Sequence, residues 1–440
     1  MLPIWKLENS HDRMKVEARL ERLRIHPARW LTDAELAARV QVVRETIADV
    51  AERGDAAVVE AARRFDDPRF TREQIAVTDQ ELSAAGNRVN REVLQAMQHA
   101  IAQLREYQTH ILPSEPPELT RVGVRLALRF CPVDSAGCYV PAGKAAYPST
   151  LIHLVVPAQV AGVREIAVCI PPSRYGRSDI LLAACQQLGI SRIYRAGGVA
   201  AVAAMALGTE TIRRVDKIVG PGNDYVQLAK LAVAGGVGID GYLGPSEIVV
   251  IADEAGRPDF IAADLIAQAE HDPGSCFLLT PSLPLACAVS EEISRQLQAR
   301  SRREAIERSL ASDSAAIVTR SMDETISLAN RIAAEHVNLQ CSDNEAVLRE
   351  LWHAGAVFVG PWSPVAAGDY VAGPSHCLPT NTTARFTSGV SVFDFLKRSA
   401  VVRYEPSGIQ REVSAIVTLA REEHLDGHAA SALIRAERHP

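Results

Sequence analysis

The chain has 440 residues, 47% of them hydrophobic and 23% charged, and a formal net charge of −6 at pH 7. This is a globular balance, and a chain of this length buries a large core without disulfides. The absence of a basic block excludes a nucleic-acid-binding surface, and no apolar stretch is long enough to span a bilayer.

The N-terminal MLPIWKLENSHDRMK has neither the apolar core nor the small-residue cleavage site of a secretory leader, so a soluble cytoplasmic protein is expected. The first ~110 residues read as helical. Thr32 and Glu35 have capping-box spacing, and Leu36, Val40, Val43, Ile47 and Val50 form the apolar stripe of the helix that follows. Gly54 stops that helix and Asp55 caps the next. Thr78 and Glu81 open another helix running toward Gln108, and ILPSEPPE is a connector.

From about residue 124, short apolar runs alternate with Ala-rich helical segments. EIAVCI (165–170), RIYRAGG and KIVGPGN read as strands with turns. LLAACQQLG, VAAVAAMALG and DYVQLAKLAVAGG read as the intervening helices. A second run starts at EIVVIAD (247–253). It continues through helix 258–271, CFLLT, helix 283–298, AAIVT, helix 322–334, VNLQ and AVFVG. Such alternation predicts two α/β units with parallel sheets and right-handed crossovers. The last ~35 residues return to helix, with a stripe of Ile409, Val413, Ile416 and Ala420. The eight cysteines (131, 138, 169, 185, 276, 287, 341 and 377) include no CxxC pair, so buried reduced thiols are expected and a cysteine-rich zinc site is not.

Ligands of open α/β sheets bind beyond the carboxyl ends of strands. Gly197-Gly198 and GPGN (220–223) each close a strand and open a helix, which suits a phosphate, although tight turns that need glycine explain them equally well. Gln268 and His271 are three apart near a helix end halted by Pro273-Gly274. Such a pair can give one metal an oxygen and a nitrogen, or form a surface hydrogen bond. Glu335-His336 lies at a helix-to-strand junction, where an irregular backbone lets both face one pocket for proton transfer; the alternative is a helix end stabilised by histidine. Asp369 and His376 lie in the Gly/Pro-rich run GDYVAGPSHCLPT (368–380). Glu423 and His428 sit between two C-terminal helices, where capping is the simpler explanation.

Taken together, these segments resemble the histidinol dehydrogenase family over nearly the whole chain. The resemblance is carried by GCYVPAGKAAYPST (137–150), DKIVGPGN (216–223), GIDGYLGPSEIVVIAD (238–253), DLIAQAEHDP (264–273), AAEHVNLQ (333–340), GDYVAGPSHCLPTNTTARFTSGVSVFDFLKR (368–398) and EHLDGHA (423–429). It implies that Gln268, His271 and Asp369 ligate zinc, with His428 as a fourth ligand from the partner subunit of a homodimer. It implies Glu335 and His336 as the acid–base pair and Ser246, His376 and Glu423 as substrate contacts beside the metal ligands and His336. Tyr139, Asn223 and the position of Ala200 would contact NAD. The implied reaction oxidises L-histidinol to L-histidine, through the aldehyde, with two NAD.

The implied fold is two Rossmann-like parallel-sheet units, one inserted in the other, with small helical terminal pieces building the dimer. Residues 31–138 and 246–390 would form the first unit and 139–245 the inserted one, with 1–30 and 391–440 as the terminal dimerisation segments. The chain departs from the usual family pattern at Ala200 (usually Gln), Ala142, Lys144, Leu243, Ser375 and the Asn381-Thr382 pair, where a Gly-Gly type pair is usual. Two alternatives are weighed, the second of them from another class of function. One is a same-fold paralogue oxidising another polar alcohol, such as a sulfonated diol; retention of Ser246, His376 and Glu423 favours histidinol. The other is a non-catalytic NAD- or metal-binding protein; retention of Glu335 and His336 favours catalysis. A metallohydrolase would leave the NAD-like turns without a reason.

Overall fold

A computed structural model describes residues 2–24, 32–271 and 273–437. Residues 25–30 of the expected N-terminal segment, Asp272 of the AEHDP run and the last three residues lie outside the described residues. The chain is mixed α/β with parallel sheets. It divides into two compact units, Met1–His110 with Asp134–Phe395, and Ile111–Val133 with Leu396–Pro440.

The first unit holds two all-parallel sheets. In the six-stranded sheet, Ser246–Ala252 is central. Gly274–Thr280, Ala315–Val318 and Ile4–Lys6 follow on one side, and His336–Gln340 and Ala356–Val359 on the other. The central strand is apolar throughout because both of its faces are covered. Ile248, Val250 and Ala252 face one buried cluster with Ile261, Leu265 and Val289. Val249 and Ile251 face the other, with Val337, Leu339 and Ile332.

The five-stranded sheet has the order Arg192–Arg195, Glu165–Ile170, Ser135–Tyr139, Lys217–Val219, Gly238–Ile239. Counted from each sheet's own first α/β strand, both sheets run 3-2-1-4-5; Ile4–Lys6 is an added edge of the larger one. The helix Ala34–Arg53 packs its expected stripe onto the core of the smaller sheet, burying Val43 and Val50 with Leu36, Val40 and Ile47 against them.

Several local expectations change. Asp33, not Thr32, caps the helix Ala34–Arg53, accepting the Glu35 and Leu36 amides at 3.1 Å. Asp55 is no cap: its buried carboxylate binds Thr211 and Arg72. Thr78–Glu81 does form a capping box, but its helix stops at Arg88 and a second runs Arg91–His110. The N-terminus contributes a strand, Ile4–Lys6, too short to carry a periodic signal. Six cysteines are buried as expected, whereas Cys131 is half-buried and Cys287 exposed; all eight are free thiols.

The second unit pairs Leu396–Tyr404 antiparallel with Val124–Pro132, which also pairs with Leu119–Arg121. The first of these strands precedes the expected C-terminal helices, Pro406–Glu422 and Asp426–Glu437. It is mostly exposed, so no buried-face alternation marks it in the sequence. Among the described residues no helix is long and apolar enough to cross a membrane.

One ion pair anchors the turn at 220–223. Lys230 and Asp240, both fully buried, stand 2.5 Å apart. Lys230 Nζ also donates to the Gly220 carbonyl at 2.9 Å, and Asp240 accepts the Gly220 amide at 2.7 Å. Removing one partner strands the other charge in the core, so Lys230→Met is expected to cost about 3–5 kcal/mol. Denaturant unfolding checks this; a loss below about 1 kcal/mol would contradict it.

Candidate active site

The candidate residues lie at different ends of the two sheets. Tyr139, Gly197-Gly198 and Gly220–Asn223 lie at the carboxyl ends of the five-stranded sheet, as expected. Ser246, Glu335-His336 and His271 lie instead at the amino ends of strands in the six-stranded sheet. The candidate residues thus gather at the carboxyl ends of one sheet and at the amino ends of the other. The acid–base candidates enter their strand from the preceding helix, so they sit at its beginning.

The helix Met322–Ile332 ends at Ala333, which adopts a left-handed conformation with φ 50° and ψ 53°. That bend lets Glu335 and His336 converge, as the junction suggested: His336 Nδ1 lies 3.6 Å from Glu335 Oε2. Glu335 is 7% exposed and His336 3%. A side chain at Gly355 would place its Cβ 2.5 Å from the Glu335 carbonyl, so only glycine lets that strand pass.

Glu335 Oε2 accepts the Ser246 hydroxyl and, at 3.0 Å, the Glu247 amide. Loss of water still dominates, and it pushes the Glu335 carboxyl up to about 8, with the Asp369 charge adding to the effect. His336 is driven the other way, below its ordinary value, by the same burial, opposed by Asp369 and by the Glu247 carbonyl. His336 Nδ1 lies 3.3 Å from that carbonyl, which can only accept, so Nδ1 carries the proton. Nε2 is then an unprotonated nitrogen, 4.0 Å from Asp369 Oδ1. A neutral imidazole with a free Nε2 beside a protonated carboxyl is suited to moving protons near neutral pH.

Gln268 lies in the last turn of the helix Pro258–Ala269 and is 2% exposed. His271 is exposed and lies in the turn just beyond the helix end, where its amide donates to the Gln268 carbonyl at 3.2 Å. The Gly274 backbone passes so close that a Cβ would lie 2.5 Å from the Gln268 carbonyl. Gln268 Nε2 is buried without a hydrogen-bond partner, so its carboxamide is not consumed by the protein. Asp369 is on a short helix, Val365–Tyr370, rather than in the expected loop. It stands 3.9 Å from His376 Nδ1, and its charge acts on the His271 ring.

The donor set fits a borderline cation such as zinc: a histidine nitrogen, a carboxylate oxygen and an uncommitted amide. Among the described residues no three His, Cys, Asp or Glu side chains stand together as a metal site.

Tyr139 is buried and its hydroxyl accepts the Gly198 amide at 3.2 Å, so that N–H is already engaged. Asn223 is exposed and caps the helix Asp224–Val233 through Val226. Ala200 is buried in the first turn of the helix Gly198–Leu207. Glu423 and His428 belong to the second unit, where both are exposed. Two residues near the site escaped the sequence reading. Glu247 was hidden in a strand read only as apolar. His153 stands alone in the apolar run TLIHLVVPA, and that oddity was the available signal.

The histidinol dehydrogenase family model matches residues 32–436. A histidinol dehydrogenase of Synechococcus sp. is 43% identical over 96% of this chain and 97% of its own. One of Geobacillus kaustophilus is 44% identical over 90% and 94%. The crystal structure of histidinol dehydrogenase from Elizabethkingia anophelis superposes with a TM-score of 0.90, at 32% identity, over 99% of this chain and 98% of that one. These matches place the chain among the NAD-dependent oxidoreductases. Within that class, it belongs to the histidinol dehydrogenase family.

Burial of two carboxyls has a consequence for stability. Glu247, like Glu335, is pushed up to about 8 by loss of water, from an ordinary 4.5. Both bind their protons more tightly folded than unfolded. Their contribution is therefore complete below pH about 4.5 and is lost as pH rises through about 8. The thermal midpoint of metal-free protein is expected to fall across that window. Glu247→Gln, which keeps an acceptor for the Asn381 amide, should flatten the fall. A slope unchanged by the substitution would contradict the assignment.

Proposed function

We propose that the chain oxidises L-histidinol to L-histidine, in histidine biosynthesis, by two successive hydride transfers to NAD, with Glu335 and His336 moving the protons. The observation that carries this reading is the buried Glu335–His336 pair with its unprotonated Nε2 turned toward Asp369. His336 Nε2 takes the proton of the substrate hydroxyl as hydride leaves the carbon, and an aldehyde results. Glu335, whose proton affinity lies near neutrality, takes in its ionised form a proton from the water that adds to the aldehyde carbon. As water adds, His336 returns its first proton to the carbonyl oxygen, and it then accepts a hydroxyl proton of the hydrated aldehyde as the second hydride leaves.

Ser246 and the Glu247 amide hold Glu335 in place for this, and the Glu247 carbonyl keeps the His336 proton on Nδ1. Gln268, His271 and Asp369 would hold zinc, with His428 of a second copy completing the set. Zinc there would supply a Lewis acid that orients the imidazole and amine nitrogens of the substrate. His376, Ser246 and a second copy's Glu423 contact the substrate in this reading. Tyr139, Asn223 and the first turn carrying Ala200 line the NAD side. The two sheets with their common strand order are read as Rossmann-like units, one inserted in the other, in a cytoplasmic homodimer.

Purified zinc-loaded protein given L-histidinol and NAD is expected to form NADH. Chelation should abolish this, and His336→Asn should lower kcat by about 100- to 10,000-fold, the usual contribution of a general base. Turnover of a different alcohol, with none of histidinol, would refute the substrate assignment. The shared site has its own test. His336→Asn and His428→Asn proteins, mixed and reassembled, should regain roughly a quarter of wild-type activity, because each mixed dimer holds one intact site. No recovery despite subunit exchange would place His428 in its own chain's site.

A further inference from the structure

The helix Pro148–Ala161 is almost wholly apolar and buried, yet it turns two polar side chains three residues apart, Thr150 and His153, toward the loop that follows Asp369. His153 is 0% exposed. Its Nδ1 accepts the backbone N–H of His376 at 2.9 Å, and its carbonyl accepts the Ser375 hydroxyl at 3.1 Å. Its ring stacks on that of His376, with centroids 4.2 Å apart and planes 16° from parallel. Thr150 Oγ1 lies 3.1 Å from His376 Nε2.

These contacts set the proton positions. His376 Nδ1 lies 2.9 Å from the Asp369 carbonyl, which can only accept, so Nδ1 is the donor there. His376 Nε2 is then the acceptor for the Thr150 hydroxyl. His153 accepts through Nδ1, so its own proton is on Nε2, which is buried with no hydrogen-bond partner. A neutral ring is required for this, and burial does hold His153 well below its ordinary value, with His376 adding to the effect and the Tyr370 backbone opposing it.

A buried donor left unmade costs about 1–3 kcal/mol. A leucine would fill the same apolar helix without that cost. What leucine lacks is the acceptor for the His376 amide and a flat face for its ring. The polarity of residue 153 therefore answers to the loop, not to the helix that carries it.

We propose that His153 is a positioning residue that holds the His376 ring and, through it, the main chain of Asp369 in the geometry that receives substrate. The helix begins nine residues after Tyr139, at the end of the strand on the proposed NAD side, so this side chain also links that sheet to the substrate loop. The proposal rests on reading His376 as a substrate contact.

The test compares three substitutions in zinc-loaded protein: His153→Leu, His153→Asn and His153→Gln. Leu removes the acceptor and the stack. Asn keeps an oxygen at the place of Nδ1, whereas Gln sets its oxygen one atom further out. The Leu variant is expected to raise KM for L-histidinol and to lower kcat/KM by about 10- to 100-fold, the scale of an ångström-level misplacement. KM for NAD should stay unchanged. Calorimetric binding of L-histidinol should weaken in parallel with KM. The Asn variant should recover most of the loss and the Gln variant should not.

A structural role alone would move both KM values together with the thermal midpoint, and would rank Asn and Gln alike; either result overturns the proposal. If the Leu variant does not fold, the Asn–Gln comparison decides. His376→Asn, measured alongside, separates the two levels of the argument. An unchanged histidinol KM there overturns the substrate reading of His376 and the proposal with it. A raised KM there, with none in His153→Leu, overturns the positioning role alone.

Discussion

The main chain of Glu247 holds both members of the acid–base pair. Its N–H donates to Glu335 at 3.0 Å, and its carbonyl lies 3.3 Å from His336 Nδ1. Both contacts depend on the parallel register that sets His336 opposite Ile248. A slip by one residue would turn His336 to the other face of the sheet and put Val337 in its place. The chemistry of the site therefore rests on strand pairing as much as on the two side chains. The left-handed Ala333 matters for the same reason, because it brings the chain out of its helix at the height where the register begins.

The placement of the site at the amino ends of one sheet has an electrostatic meaning. The helices Pro258–Ala269 and Met322–Ile332 both end there, and helix carboxyl ends carry partial negative charge. That favours a cation, while burial, with the Asp369 charge adding to it, pushes the Glu335 carboxyl up to about 8. The five-stranded sheet does the opposite. Its carboxyl ends lead into the first turns of Gly198–Leu207 and Asp224–Val233, whose amide-rich ends suit a phosphate. The candidate residues of the two sheets, which share one strand order, thus meet helix carboxyl ends in the one and helix amino ends in the other.

Several departures from the family pattern have local structural correlates. Asn381 and Thr382 adopt φ of 55° and 65°, a conformation in which glycine is unstrained. Asparagine tolerates it; a β-branched threonine does so at a cost of about 1–2 kcal/mol. The Glu247 carboxylate accepts the Asn381 amide at 3.0 Å and braces that turn. Ser375 gives its hydroxyl to the His153 carbonyl, so it belongs to the same contact set as His153. Leu243 is buried, and its amide is held by Gln227 in the ion-paired network beneath the 220–223 turn.

Sequence alone determined the alternation of strands and helices from residue 165 onward, because strands covered on both faces must be apolar and glycine turns must separate them from helices. It also supplied the ordered motifs that carried the family resemblance, and it singled out the Glu335-His336 junction. It left unread the strand Leu396–Tyr404, whose exposed faces give no pattern, and the edge strand Ile4–Lys6, three residues long. Tertiary structure alone decided at which ends of the sheets the candidate residues gather, since hydropathy is blind to strand direction. It decided that Gln268 is buried while His271 is exposed, because the helix stops between them. It decided which nitrogen of His336 is free, because a tautomer follows from a neighbour's carbonyl 89 residues away in the chain. The role of His153 is of the same kind. A lone histidine in an apolar helix has no meaning until folding brings His376 against it.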